Sequence, residues 1–354
     1  MRRTAIYRDP LFQEHKTGAG HPESPQRLEA IYRELERPEL TAKLLFPDFS
    51  AASLEDIRRN HSARMIQEVA ATAGKAAAYL DADTRTSARS YEAALLAAGA
   101  LIDGINRLLA GRIDNGFALV RPPGHHAEQD RSMGFCLFNS LAVAARWAIK
   151  VRGLKRICVL DWDLHHGNGT QKSFYGSDKV LFCSFHQYPH YPGSGALGEC
   201  GEGRGLGYTI NVPLAGGQGD AAYAGLINDI FLPVARSFQP ELILVSVGFD
   251  IALGDPLGAM RVSPAGLAYM TRALVGLAEQ VCGGKLLLTL EGGYGLEAGH
   301  QGSLAVLSEL YGAALDPAFP VYLGISQASA LAAAPAPAEL FQEVRRQQQP
   351  WWQL

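Results

Sequence analysis

Side chains able to bind a metal and move protons recur at the ends of apolar runs. FALV leads into RPPGHH, residues 121–126, where His125 and His126 are adjacent. ICVL leads into DWDLHHGNGT, residues 161–170. LILVSV leads into GFD, ending at Asp250, and LLLTL leads into EGGY, ending at Tyr294. Asp163 and His165 stand two apart. On an extended segment such residues point to the same side, so both can address one ion. Asp250 offers a third ligand from another run. Three nitrogen and oxygen ligands leave a position open, as a catalytic zinc site requires. The carboxylates also admit Fe(II), Mn or Co. Hydrolysis at such a centre needs a proton acceptor and then a donor to the leaving group. Adjacent histidines point different ways and fit two distinct roles. Tyr294 follows two glycines that let backbone approach a ligand, and its phenol fits a hydrogen-bond donor to a developing oxyanion. Alone, an Asp-x-His is more often a surface loop, and a Tyr after Gly-Gly usually just packs. The argument rests on four clusters occupying equivalent positions.

Those positions require a particular scaffold. Short apolar runs at 117–120, 157–160, 180–184, 208–212, 242–247 and 286–290 alternate with Ala- and Leu-rich stretches of helical spacing at 27–35, 90–109 and 140–150. Continuous apolar strands between helices predict a mostly parallel α/β sheet with helices on both faces. Loops after the strand C-termini then line one edge, where ligands bind. The predicted catalytic domain is residues 1–324. Residues 325–354 read as an Ala/Pro-rich linker at 330–337, a short helix at 337–349 and a Trp351–Trp352 pair, either docked on the domain, frayed or partner-binding.

The 354 residues are 47% hydrophobic and 19% charged, with a net charge of −3. Such a chain buries a large core and has no global attraction to nucleic acid. A local acidic rim could still hold a basic peptide. The five cysteines lack CxxC spacing. They read as reduced core thiols, with Cys158 and Cys183 on strands, and a reducing cytoplasm is the expected location. MRRTAIYRDPLF opens on an arginine pair but has no apolar core, so no signal peptide is read. No uninterrupted apolar stretch is long enough to span a bilayer.

The motifs resemble the histone deacetylase and acetylpolyamine amidohydrolase superfamily, whose fold is related to arginase. The resemblance runs over residues 4–322. It rests on GHPESPQRL at 20–28, RPPGHHA at 121–127, MGFCLFN at 133–139, DWDLHHGNGT at 161–170, GFDIALGDPLG at 248–258 and EGGY at 291–294. In detail it is similar to the class II branch and its bacterial histone deacetylase-like amidohydrolases. The resemblance implies that Asp163, His165 and Asp250 bind zinc. It makes His126 the general base and acid, with His125 its electrostatic partner, and gives Tyr294 the scissile carbonyl. Asp161 would hydrogen-bond His125 and join Ser184 and the carbonyls of Asp163, His165 and Phe185 around a structural potassium ion. A second monovalent site would use backbone around Phe174, Ser177, Val180 and Tyr208. Phe135 and Tyr191 would wall an acyl-lysine tunnel, with Gly134 on its surface. Asp83 would be a rim carboxylate, and Arg27 would sit by an internal acetate pocket.

Three departures stand out. Asn168 occupies the place of a class I Asp, and a neutral amide holds an imidazole without stabilising its cation. Tyr191 replaces the more usual Phe. Gly295 stands where Asn is common, which is expected to loosen the tyrosine loop. The expected substrate is an acylated lysine in a peptide or protein, with a small acylated amine such as an acetylpolyamine as the rival. A non-catalytic acyl-peptide binder is an alternative of another class. Ureohydrolysis on two manganese ions would need paired D-x-D motifs, and the third-ligand segment offers only Asp250 and Asp255. Homo-oligomer formation is left open.

Overall fold

The computed structural model describes residues 1–315, 325–332 and 338–354. Its strands are β1 (Thr4–Tyr7), β2 (Ala78–Tyr79), β3 (Arg85–Thr86), β4 (Asn115–Ala118), β5 (Ile157–Asp161), β6 (Val180–Gln187), β7 (Thr209–Leu214), β8 (Leu242–Val247) and β9 (Leu286–Leu290). Seven form one sheet in the order β1-β4-β9-β8-β5-β6-β7, while β2 and β3 make a separate antiparallel pair. Every pairing in the large sheet is parallel. Every residue of β5, β8 and β9 is buried. Alternate residues point to opposite faces, so both faces are covered, as the continuous apolar runs predicted.

The six predicted strands are all present, with ends shifted by a few residues. The predicted helices appear as Gln26–Leu35, Ser90–Leu109 and Ser140–Val151. Of the strands in the large sheet, only β1 was not anticipated. The C-terminal region contains the helices Ile325–Ala332 and Ala338–Gln348. Part of the predicted linker, residues 333–337, lies outside the described residues. The last helix is docked: Phe341 and Val344 join the core, and the Trp352 indole N–H donates to the Gly207 carbonyl at 2.7 Å. All five cysteines are buried and free. Among the described residues, no helix is long and apolar enough to cross a membrane.

From β5 the chain moves outward through β6 and β7, then returns to the other side of β5 as β8. The β5/β8 boundary is therefore a topological switch point, where the loops after the strands part and open a crevice. The four motif-bearing strands, β4, β9, β8 and β5, are consecutive neighbours across it.

Candidate active site

Asp161 ends β5, and the chain then turns across the crevice. Asp163, His165 and Asp250 meet there, each offering a ligand atom within 4.8 Å of the others. The two carboxylates are fully buried, and His165 is nearly so. His165 Nδ1 lies 3.2 Å from both Asp163 Oδ1 and Asp250 Oδ2. Backbone N–H groups fix the carboxylates: Leu164 N donates to Asp250 Oδ1 at 2.9 Å, and Gly292 N donates to Asp163 Oδ2 at 2.7 Å. Asp250 Oδ2 is buried and accepts no well-aligned hydrogen bond, with the His165 ring beside it only at ion-pair distance. Gly248 and Gly292 line the cluster so closely that a Cβ at either would overlap carboxylate oxygens of Asp163 and Asp250. A compact set of two carboxylates and one imidazole, with one oxygen left unpaired, fits a divalent cation.

The charges are consistent with this. Burial raises the Asp250 carboxyl to about 7, and the Asp163 charge raises it further in the same direction. Burial opposes charge on His165 too, but the pull of the Asp163 and Asp250 carboxylates beside its Nδ1 prevails and raises it to about 9. A cation between these groups would relieve the crowding of two buried anions.

The paired histidines sit beside this centre with rings 3.9 Å apart. His125 Nδ1 contacts Asp161 Oδ2 at 3.1 Å. Burial penalises its cation, yet Asp163 and Asp161 outweigh burial and raise its pKa to about 10. His126 has the opposite environment. Burial first, then the charges of His125 and His165, hold it well below the usual imidazole value. His126 Nδ1 lies 2.8 Å from Asn168 Oδ1. The Asn168 amide is oriented by its other end, where Nδ2 donates to Glu128 Oε1 at 2.7 Å. Oδ1 therefore faces the imidazole, the proton sits on Nδ1, and Nε2 is left with a lone pair.

A cavity of about 240 Å³ leads to this floor. Seven of the predicted residues line it: Asp83, His126, Gly134, Phe135, His165, Tyr191 and Tyr294. Gly134 adopts φ +57°, and a Cβ there would overlap the His126 ring. Phe135 is held at φ 67°, strained for a non-glycine residue, and its ring meets the Tyr294 ring edge-on at 5.9 Å. Asp83 Oδ1 accepts from Gly134 N at 3.1 Å, fixing the tunnel wall. His190 and Leu257 also line the tunnel and were not singled out in the sequence.

Arg27 lies elsewhere, behind the tyrosine. It donates to the carbonyls of Gly293 and Glu291 at 2.6 Å each, pairs with Glu23 at 2.9 Å, and puts its guanidinium 5.0 Å from the Tyr294 ring centroid. Ser184 is opposite Asp161 in the β5–β6 register, with Phe185 next along the strand. The Ser184 hydroxyl lies 3.0 Å from His186 Nδ1.

Besides Glu23, two further buried carboxylates hold the site in ways the sequence did not indicate. Glu291 Oε2 accepts from the N–H groups of Gly124 and His125 at 2.6 and 3.1 Å, so it anchors the turn that aims the histidines. Asp255 accepts from Tyr294 N and Gly295 N at 2.6 and 2.9 Å. The loop expected to be loosened by Gly295 is thus tied at that residue.

The comparisons with known proteins agree with this architecture. The Histone deacetylase domain model matches residues 21–310. A probable deacetylase of Archaeoglobus fulgidus is 38% identical over 83% of this chain and 82% of its own length. Histone deacetylase 15 of Arabidopsis thaliana is 41% identical over 82% of this chain, which spans 53% of that longer protein. The crystal structure of the HDA15 HD domain superposes with a TM-score of 0.88 at 36% identity, covering 99% of this chain and 95% of that one. A parallel sheet that gathers these motifs at one switch point, matched in sequence and in three dimensions, places the chain in the histone deacetylase domain family.

Proposed function

We propose that this protein is a zinc-dependent deacylase that removes an acyl group, chiefly acetyl, from lysine side chains. The observation that carries the reading is the convergence of the Asp163–His165–Asp250 cluster, a neutral His126 and Tyr294 at the floor of one narrow aromatic tunnel. Zinc held by those three ligands would supply a Lewis acid for the carbonyl and lower the pKa of the attacking water. The remaining chemistry belongs to the chain. The phenol of Tyr294 donates a hydrogen bond to the carbonyl oxygen as negative charge grows there. Burial, reinforced by Asp250, holds that phenol well above its ordinary pKa, so it stays protonated. His126 Nε2 takes the proton of the water and delivers it to the departing amine. His125, kept cationic beside Asp161 and Asp163, offsets charge near the reacting atoms. Phe135 and Tyr191 exclude bulk water and guide the aliphatic stem of the substrate. Asp83 receives the substrate backbone at the rim. Potassium around Asp161 and Ser184 is proposed as a structural ion on the resemblance alone.

An acyl-lysine peptide is favoured over an acetylpolyamine by the tunnel lining. A polyamine carries a further ammonium group, which calls for carboxylates at the mouth. Among the residues that line the tunnel, the only carboxylate is Asp83, with Leu257 contributing an apolar wall. The test is a turnover panel of acetyl-lysine peptides, longer acyl-lysines and acetylated polyamines on metal-stripped and zinc-loaded protein. Turnover of acetyl-lysine peptides only when loaded supports the reading, with Tyr294→Phe slower by about 100-fold or more. Preference for acetylpolyamines would reverse the substrate order. Peptide binding by both forms without turnover would make the protein a binding module.

A further inference from the structure

We propose that Asp255 is a positioning residue that sets the height and angle of Tyr294 over the ligand cluster. The inference rests on the oxyanion-donor role proposed for that tyrosine. Tyr294 lies between Gly293, at φ +110°, and Gly295. Among the described residues its phenol oxygen has no hydrogen-bond partner. The ring rests against Phe135 and the Arg27 guanidinium, and with its tip unpaired its height over the cluster depends on where the backbone carries it.

Asp255 supplies that constraint. Its Oδ2 accepts from the two peptide N–H groups on either side of the tyrosine Cα–C unit, Tyr294 N at 2.6 Å and Gly295 N at 2.9 Å. Its Oδ1 accepts from Leu257 N at 2.9 Å, which fixes the loop that carries the carboxylate itself. The residue is only 6% exposed, so water competes little for these bonds. The loop begins at Asp250, a ligand of the cluster, and includes Leu257, a wall of the tunnel. One carboxylate thus joins the third ligand, the tunnel wall and the tyrosine. Arg27 completes the clamp from the opposite side, holding the carbonyls of Glu291 and Gly293. The peptide chain around the tyrosine is held by an acceptor for its N–H groups and a donor for its carbonyls.

A plainer role is available. Gly295 is the N-cap of the helix Leu296–Tyr311 and has no capping side chain, so Asp255, by accepting from Gly295 N, also satisfies a donor at that helix's start. A cap alone would affect folding stability and leave the chemistry of folded protein alone. Positioning makes a different demand: the loss must pass through the Tyr294 hydroxyl.

The experiment is a double-mutant cycle on the metal-loaded full chain with an acetyl-lysine peptide. In Asp255→Asn an N–H₂ group must face either Leu257 N or the two amides of the tyrosine loop. The expected result is a kcat lower by about 10- to 100-fold, KM within about threefold, metal content unchanged, and faster hydrogen exchange at the Tyr294 and Gly295 amides. In a Tyr294→Phe background the same change should lower kcat by less than about threefold, because the group being positioned is already absent. An undiminished loss in that background, or a wild-type kcat in Asp255→Asn, overturns the positioning role while leaving the tyrosine's own role standing. Full turnover in Tyr294→Phe alone would remove the tyrosine reading and this inference together. If Asp255→Asn fails to fold, Asp255→Ser keeps one acceptor and is read by the same cycle.

Discussion

At the scale of single residues, the decisive feature is how the environments of two adjacent histidines push their pKa values in opposite directions. His125 faces the buried Asp161 and Asp163, and His126 faces an amide. The amide at Asn168 is also required by its other neighbour. Its Nδ2 donates to Glu128 Oε1, so a carboxylate at position 168 would meet the Glu128 carboxylate at hydrogen-bond distance. Asn168→Asp alone is therefore expected to be poorly stable. Combined with Glu128→Gln, the introduced carboxylate gains a donor and can stabilise the His126 cation. A base works only when neutral, so raising its pKa moves the acid limb of kcat/KM to higher pH. The expected displacement is roughly 1 to 3 pH units, and a pH–rate profile of the double variant reads it. An unmoved acid limb would mean that the limb does not belong to His126. The histidines, the ligands and the tyrosine were legible in the sequence because each follows a recognisable apolar strand. Glu291, Asp255 and Glu23 were not. The first two spend their oxygens mainly on backbone N–H groups, and backbone partners leave no trace in residue type or spacing. Glu23 forms a buried pair with Arg121, and their separation of 98 positions in sequence hides the contact.

At the scale of elements, the sheet was legible and the devices that lock helices to it were not. Continuous apolar runs reported β5, β8 and β9 because both faces of those strands are covered. The four residues of β1 are too few for periodicity to separate them from a loop. His61 is one of the unreported locks. It sits just after the helix Leu54–Arg58, and its Nε2 accepts from Asn139 N at 2.9 Å while its Nδ1 faces the Glu128 carbonyl at 2.8 Å. Asn139 in turn caps the helix Ser140–Val151. These bonds need a neutral ring with its proton on Nδ1. Burial lowers its pKa to about 4, against an opposing pull from the Glu128 and Gln129 carbonyls. The folded-state value lies below the unfolded value of about 6.5, so protons bind the unfolded chain more readily. The stabilisation from neutral His61 is complete above about pH 6.5 and is lost as pH falls toward 4. Between pH 7.5 and pH 5 its share of the loss is about 2 kcal/mol. Urea unfolding at both pH values should show His61→Gln losing less stability than the wild type by about that amount. Equal losses in the two proteins would assign the acid sensitivity to other groups.

At the scale of the whole molecule, reactive groups and exposed sheet edge are kept apart. The site lies at the β5/β8 boundary inside the sheet, while β7 ends it on one side. An edge strand offers unpaired backbone groups to any passing strand. Here the C-terminal segment packs over the start of that edge. Gln348 Nε2 donates to the Thr209 carbonyl of β7 at 3.4 Å, and Trp352 donates to Gly207 and meets Tyr208 edge-on at 5.5 Å. Phe341, Val344 and Trp352 are all under 9% exposed. Their burial contributes on the order of 5 kcal/mol before the entropy of ordering the helix offsets part of it. Deleting residues 338–354 should therefore lower the melting temperature and turn the β7 edge into a self-association surface, seen as larger species in light scattering. Below the new melting temperature kcat should stay near the wild-type value, because no residue of the segment lines the tunnel or touches the ligand cluster. A monomeric deletion variant with unchanged melting would show that the tail only rests on the domain. A folded variant that has lost turnover would instead couple this edge to the site across β6 and β5, the strands between them.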